Sequence, residues 1–239
     1  FPSRRWEHRH TNGSRHIRSL SWKGKRKENQ KPKEMSDKIM TDLKELKQNV
    51  LMTAKKAYDE KLMAGTSGNI SAYFREKQWI VITPSSYDYS LMAEEDIVVI
   101  DLDGNLVEGR HKPSSEWKMH AEIYRHLSHA NAVVHTHSPY ASSFAVNHQE
   151  IPVEMIPFLK GKLEVSPYAQ QGSAEVGLNA VPILERKNAC LMANHGVVAI
   201  GGTLPEAYTN SVYVEDAAKI YHLALCSGHP VVIKEYEEV

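Results

Sequence analysis

His135 and His137 close the apolar run of VVHTHS, two residues apart. On a strand, side chains at i and i+2 leave the same face, so both imidazoles can converge on one ion while Thr136 points away. Alone the pair carries little, because a chain with 13 histidines also places such pairs on strands for no chemical reason. ANHG sets His195 between the apolar run Ala189–Ala193 and Gly196. A histidine at a strand end beside a glycine turn is well placed as a third metal ligand. Three histidines leave the open coordination position that separates a catalytic from a structural zinc site. The plain alternative is a solitary turn histidine.

In KPSSEWKMH, Pro113, Ser114 and Ser115 precede an amphipathic stretch, and Glu116 falls in the first turn of the expected helix. A carboxylate there interacts favourably with the helix dipole, which is reason enough for its presence. The same physics permits chemistry: free amides and two serine hydroxyls at a helix start suit a phosphate, and Glu116 can reach a neighbouring bound substrate as acid or base. Two further loops, AGTSGNIS with Gly68 and Asn69, and ITPSSYDY with Ser85 and Ser86, expose amides and short hydroxyls of the kind that cradle phosphate without a cation. Neither contains GK[ST] or GxGxxG, so nucleotide loops of those types are excluded. Singly, each reads as an ordinary turn.

These residues need elements to hold them. Leu43, Leu46, Val50, Ala54 and Ala57 recur at helical spacing from residue 40 onward, and Ala64-Gly65 marks the expected stop. Short strands are predicted at Ile70–Phe74, Trp79–Ile82 and Ile97–Ile100, then at Ala132–His137, Ala189–Ala193 and Val197–Ile200. Helices are predicted at 115–127, 173–186 and 205–226, the last with Val214, Ala217, Ala218, Tyr221 and Leu225 on one face. Helices interleaved with short strands make a layered α/β or α+β domain.

The 29 Lys+Arg and 29 Asp+Glu cancel only in total. Residues 1–34 hold 11 basic against 3 acidic side chains, a balance of +8, whereas residues 35–239 hold 18 against 26, a balance of −8. The basic stretch lacks periodicity and aliphatics, so it reads as a disordered extension, vector-derived or spurious, upstream of Met35. Its rival reading is a nucleic-acid-binding arm or an Arg-rich leader, but no nucleic-acid motif continues into the rest of the chain. A chain beginning at Met35 is expected to keep assembly and activity. The remaining residues suit one large domain that buries roughly 70% of its unfolded surface. No run approaches the ~20 apolar residues of a membrane span, and Cys190 and Cys226 form no CxxC pair. A soluble, cytoplasmic protein with no membrane or nucleic-acid partner is the expectation.

Taken in order, AGTSGNIS, ITPSS, KPSSEWKMH, ANAVVHTHS and ANHGVVAIG resemble the class II aldolase and adducin family over roughly residues 43–230. That family includes the L-fuculose-1-phosphate aldolases, to which the motifs stand closest, the L-ribulose-5-phosphate 4-epimerases and the adducin head domain. The resemblance implies a three-layer α/β/α domain around a mostly antiparallel sheet, a zinc ion (Zn2+), and a fourfold homotetramer with active sites between subunits. His135, His137 and His195 match the family's zinc histidines. Glu116 matches its metal ligand and acid/base. Gly68, Asn69, Ser85, Ser86, Ser114 and Ser115 match its phosphate-binding positions.

The resemblance further implies retro-aldol cleavage of L-fuculose 1-phosphate, or a close 1-phosphoketose, to dihydroxyacetone phosphate and L-lactaldehyde. Glu116 favours an aldolase, since the epimerases carry Asp there. Two departures concern the aldehyde end. IPVEMIPF has Ile156 where the fuculose enzyme has a tyrosine, and Tyr236 lies too early to match a second tyrosine in the C-terminal tail. Alternatives are a 4-epimerase, an aldolase or dehydratase of 5-deoxyribulose or methylthioribulose 1-phosphate, and a non-catalytic adducin-like module.

Overall fold

The structure is a computed structural model describing residues 30–152 and 160–231, so Ile156 and Tyr236 lie outside the described residues. Two units divide the chain, Phe1–Lys38 and Ile39–Val239. The described residues of the first belong to the opening turns of α1 (Gln30–Asp59), which begins well before residue 40. Pro32 stands in the first turn, where a missing N–H costs no helical bond, and the Lys, Glu and Met that follow favour helix without an apolar stripe to signal it.

In the second unit an eight-stranded sheet has the order β4-β3-β2-β1-β5-β8-β7-β6. Its strands are β1 (Asn69–Phe74), β2 (Trp79–Ile82), β3 (Val98–Asp101), β4 (Leu106–Glu108), β5 (Ala132–Thr136), β6 (Val165–Ser166), β7 (Ala189–Met192) and β8 (Gly196–Gly201). Every neighbouring pair is antiparallel except β6 with β7. The helices after α1 are α2 (Trp117–His126), α3 (Pro139–Val146), α4 (Glu175–Leu184) and α5 (Leu204–Ser227).

The strands read as continuous apolar runs because both sheet faces are covered. Val133, Val198 and Ile200 pack with Met119 and Ile123 of α2 and Ala180 and Ile183 of α4. Ile70, Ala132 and Val134 face the other way, against Val50 and Ala54 of α1 and Ala207 of α5. Beside them, Val197 and Ala199 meet Phe144 of α3 and Val214 of α5. The result is the expected three-layer α/β/α arrangement. Each large aliphatic fully buried in this way contributes about 1.5–3 kcal/mol. Among the described residues no helix is long and apolar enough to cross a membrane.

Several boundaries differ from the sequence reading. α1 stops at Asp59 rather than at Gly65: Lys61 takes a left-handed φ of 65°, Leu62 N donates to Ala57 O and Lys61 N donates to Tyr58 O. That is a Schellman end with lysine in the place where glycine is usual, and composition does not reveal it. Leu225 is exposed, so the last turns of α5 run past the core. β4, β6 and α3 are not signalled in the sequence because the two strands are short and α3, with only eight residues, presents a single short apolar face of Ala141, Phe144 and Ala145.

Candidate active site

The three sequence-predicted histidines and Glu116 converge on the α2 side of the sheet, at the ends of its central strands β5 and β8. One ligand atom from each lies within 4.8 Å of all the others. His135 Nε2 stands 2.9 Å from His137 Nε2 and 3.0 Å from Glu116 Oε2, and His195 Nε2 stands 2.8 Å from Glu116 Oε1. Ligands about 2.0–2.2 Å from a tetrahedral ion stand about 3.3–3.5 Å apart, a spacing within this range.

Whether these atoms suit a metal turns on where their lone pairs point. His135 Nδ1 donates to Val197 O at 2.7 Å, so the neutral ring presents a bare Nε2 to the cluster. Glu116 Oε1 and His195 Nε2 are buried and, despite their 2.8 Å approach, make no hydrogen bond of acceptable geometry. Two buried polar atoms left unpaired so close together are costly, and a cation between them would satisfy both. The donor set, three imidazoles and one carboxylate, fits a divalent ion of the zinc type. Burial raises the pKa of the Glu116 carboxyl, but positive charge and N–H groups on the facing His135 and His195 rings, when these are protonated, outweigh it and hold the group well below the usual carboxylate range. Burial, with His135 and His195 adding to it, lowers His137 to about 4.

Each side chain is aimed by a local device. β5 ends at Thr136, so His137 lies just past the strand rather than on it. The β7–β8 turn carries His195, and its left-handed residue is Asn194 at φ 54°, not a glycine. His148 hydrogen-bonds the Asn194 side chain, and Asn194 N donates to Ala145 O. Gly196 is there for space, since a Cβ would lie 2.5 Å from Thr136 O and 2.9 Å from His137 Cδ2. Glu116 is the residue before α2, not within its first turn. Its carboxylate turns inward to the histidines instead of capping the helix, while its N–H donates to Ser114 Oγ at 3.3 Å. The Trp117 ring lies over Gly104, where a Cβ would come within 2.4 Å, and so anchors the start of α2.

The loops carrying the serines meet. Pro84 and Pro113 form an isolated antiparallel bridge, with Ser85 N donating to Lys112 O and Ser114 N to Thr83 O. Thr83 Oγ1 accepts from Ile70 N at 3.2 Å, which ties them to the strand opened by Asn69. Gly68, Asn69, Ser85, Ser86, Ser114 and Ser115 thus belong to three neighbouring loops, with Ser114 and Asn69 buried and Ser86 and Ser115 exposed.

Gly68 has φ 76°, and a Cβ would lie 2.6 Å from Met63 Sδ and 2.8 Å from His135 O. Tyr89 donates to its carbonyl at 2.7 Å. Gly68→Ala is expected to destabilise the fold by more than about 1 kcal/mol, lowering Tm by about 2–4 °C or more for a chain of this size. A variant that melts with the parent in calorimetry would show that the loop relaxes freely.

A buried polar chain behind Glu116 is absent from the sequence reading. Asn69 Nδ2 donates to Glu116 Oε2 at 2.8 Å, and Asn69 Oδ1 lies 2.5 Å from His120 Nε2. His120 Nδ1 is 2.6 Å from Ser71 Oγ, itself 2.6 Å from the Tyr124 hydroxyl. Burial lowers the His120 pKa to about 3, so the ring is neutral. The available signal is a histidine four residues after Glu116 on the inward face of an amphipathic helix, paired with a polar Ser71 inside an apolar strand.

Residues 48–222 match the family described as Class II Aldolase and Adducin N-terminal domain. The 5-deoxy-D-ribulose 1-phosphate aldolase of Bacillus thuringiensis is 35% identical over 197 residues, covering 82% of this chain and 92% of that protein. The L-fuculose phosphate aldolase of Methanococcus vannielii is 36% identical over 171 residues, covering 70% of this chain and 91% of that one. A solved L-fuculose 1-phosphate aldolase superposes with a TM-score of 0.76 at 39% identity, covering 80% of this chain and 91% of that chain. An α/β/α sheet of this kind, matched in sequence across most of its length, leaves one assignment: the chain belongs to the class II aldolase and adducin family.

Proposed function

We propose that the chain is a zinc-dependent aldehyde-lyase that cleaves L-fuculose 1-phosphate, or a close 1-phosphoketose, into dihydroxyacetone phosphate and a small aldehyde such as L-lactaldehyde. The observation that carries this reading is the buried convergence of Glu116, His135, His137 and His195 in a family whose aldolases are metal-dependent. These four residues would hold the ion. A divalent cation supplies the positive charge that makes an enediolate accessible near neutral pH.

The chain's own residues do the rest. Amides and hydroxyls at Gly68, Asn69, Ser85, Ser86, Ser114 and Ser115 hold the phosphate and orient C3 toward Glu116. As the C3–C4 bond breaks, its electron pair passes to C3–C2 and the C2 carbonyl pair to the C2 oxygen, while the C4 hydroxyl proton passes through water to the Glu116 carboxylate as the aldehyde carbonyl forms. Glu116 then delivers a proton to C3, completing dihydroxyacetone phosphate; in synthesis it removes that proton. No lysine Schiff base is needed. The same reading includes a cytoplasmic homotetramer with sites between subunits and no nucleic-acid or membrane partner.

A second substrate is favoured by the Bacillus thuringiensis relative, a 5-deoxy-D-ribulose 1-phosphate aldolase matched over 92% of its length. Cleavage at the same bond of that sugar yields dihydroxyacetone phosphate and acetaldehyde. A coupled assay for released dihydroxyacetone phosphate separates these readings when run on L-fuculose 1-phosphate, 5-deoxy-D-ribulose 1-phosphate, methylthioribulose 1-phosphate and L-ribulose 5-phosphate. Release from a 1-phosphoketose, lost after chelation and restored by zinc, is the expected result. Epimer formation without triose, loss of water, or an inert protein lacking bound metal would instead identify an epimerase, a dehydratase or an adducin-like module.

A further inference from the structure

The side chains of Tyr124, Ser71, His120, Asn69 and Glu116 form one run of hydrogen bonds between α2 and β1, all buried. One constraint sets its direction. A carboxylate can only accept, so Asn69 must present Nδ2 to Glu116 Oε2 and Oδ1 to His120. Oδ1 can only accept, so His120 carries its proton on Nε2. Nδ1 is then bare and accepts from Ser71 Oγ, which in turn accepts from the Tyr124 hydroxyl. Turning the Asn69 amide over would set two acceptors against each other at Glu116. The carboxylate is left asymmetric: Oε2 is bonded to Asn69, and Oε1 has no hydrogen-bond partner.

We infer that His120 is a positioning residue for the proton transfer: acting through Asn69, it holds Oε2 and so fixes the orientation from which the Glu116 carboxylate moves the proton. This rests on the acid/base role proposed for Glu116. The chemistry matters because a carboxylate free to rotate offers either oxygen at either angle, and proton transfer demands a fixed one. His120 itself stays two side chains away from the reacting carbon.

Two near-isosteric substitutions test this without emptying the core. The amide of His120→Gln reaches the position of Nε2 and can still donate to Asn69. The amide of His120→Asn reaches only the position of Nδ1, keeping Ser71 and losing Asn69. The expected result is a kcat lowered about 10–100-fold in H120N, with KM and metal content little changed, and recovery of most of that loss in H120Q. In the Asn69→Ala background the two His120 substitutions should become equivalent. Equal kcat for H120N and H120Q with Asn69 present, or a loss that follows metal content or Tm alone, overturns the inference.

A second readout does not depend on turnover. Long-range 15N–1H correlation spectra should show His120 protonated at Nε2 and bare at Nδ1, and the opposite tautomer overturns the inference. If the parent protein cleaves no phosphoketose, the functional reading fails, while the tautomer still reports on the hydrogen-bond run.

Discussion

Glu116→Gln is expected to lower kcat by about 10²–10⁴-fold, the range that a positioned acid/base supplies, while the protein keeps its metal. Glutamine has nearly the shape of glutamate and still offers an oxygen, and His135, His137 and His195 remain as a three-histidine set sufficient for a catalytic site. What glutamine lacks is a site that can take up and release a proton at neutral pH. The carboxylate acts on the moving proton while other residues hold the phosphate, so KM should move less than kcat. Measuring metal stoichiometry beside turnover separates the two roles of the residue. A Glu116→Gln protein that turns over at the parent rate would remove Glu116 from the chemistry altogether.

His135→Ala is expected to lose both metal and turnover. His135 is fully buried and its ring is fixed by Val197 O, so it is the least replaceable of the four. Losing the ion forfeits several kcal/mol of charge stabilisation, equivalent to about 10³-fold or more in rate. Removing the buried ring also empties packed space and leaves Val197 O without its donor, which adds a folding cost of about 1–3 kcal/mol. Elemental analysis, activity and thermal melting should therefore fall together, whereas Glu116→Gln dissociates activity from metal. Retention of one ion per chain in His135→Ala would place the metal elsewhere.

Much of the fold is legible because core packing imposes a period on the sequence. Trp79–Ile82 lies as predicted, and β1, β3, β5, β7 and β8 differ from expectation only at their ends. The ends slip because they are settled by single hydrogen bonds, such as those that place a left-handed Lys61 after α1. The histidines are legible for a different reason. Ligation restricts residue type and demands a common direction, and a two-residue spacing at the end of a strand meets both even though His137 lies just past β5. His195 and Glu116, far from that pair in sequence, become persuasive only as members of an ordered set.

Some expectations invoked the wrong physics for the right residue. Gly196 matters through its missing Cβ beside Thr136 O, while Asn194 makes the turn. Glu116 sits where a helix-dipole carboxylate would sit, yet it faces imidazoles rather than amides. Asn69, proposed at the phosphate, has a further part that no local pattern signals: its side chain is bonded to Glu116 and His120.

Sequence alone dictates which groups this chain has to spend on chemistry: imidazoles, one carboxylate after paired serines, and loops of glycine, serine and threonine with no lysine or arginine among them. It dictates most of the layering as well, because apolar patterning is a local property that the longer helices and the central strands carry with them. The folded chain dictates what those groups can do. Which lone pair faces the ion, which oxygen of Glu116 is bonded, and which tautomer His120 holds depend on contacts such as Asn69 with Glu116 and His135 with Val197. Those partners are distant in sequence, and hydrogen-bond direction is set by the partner's geometry, so no local pattern encodes it.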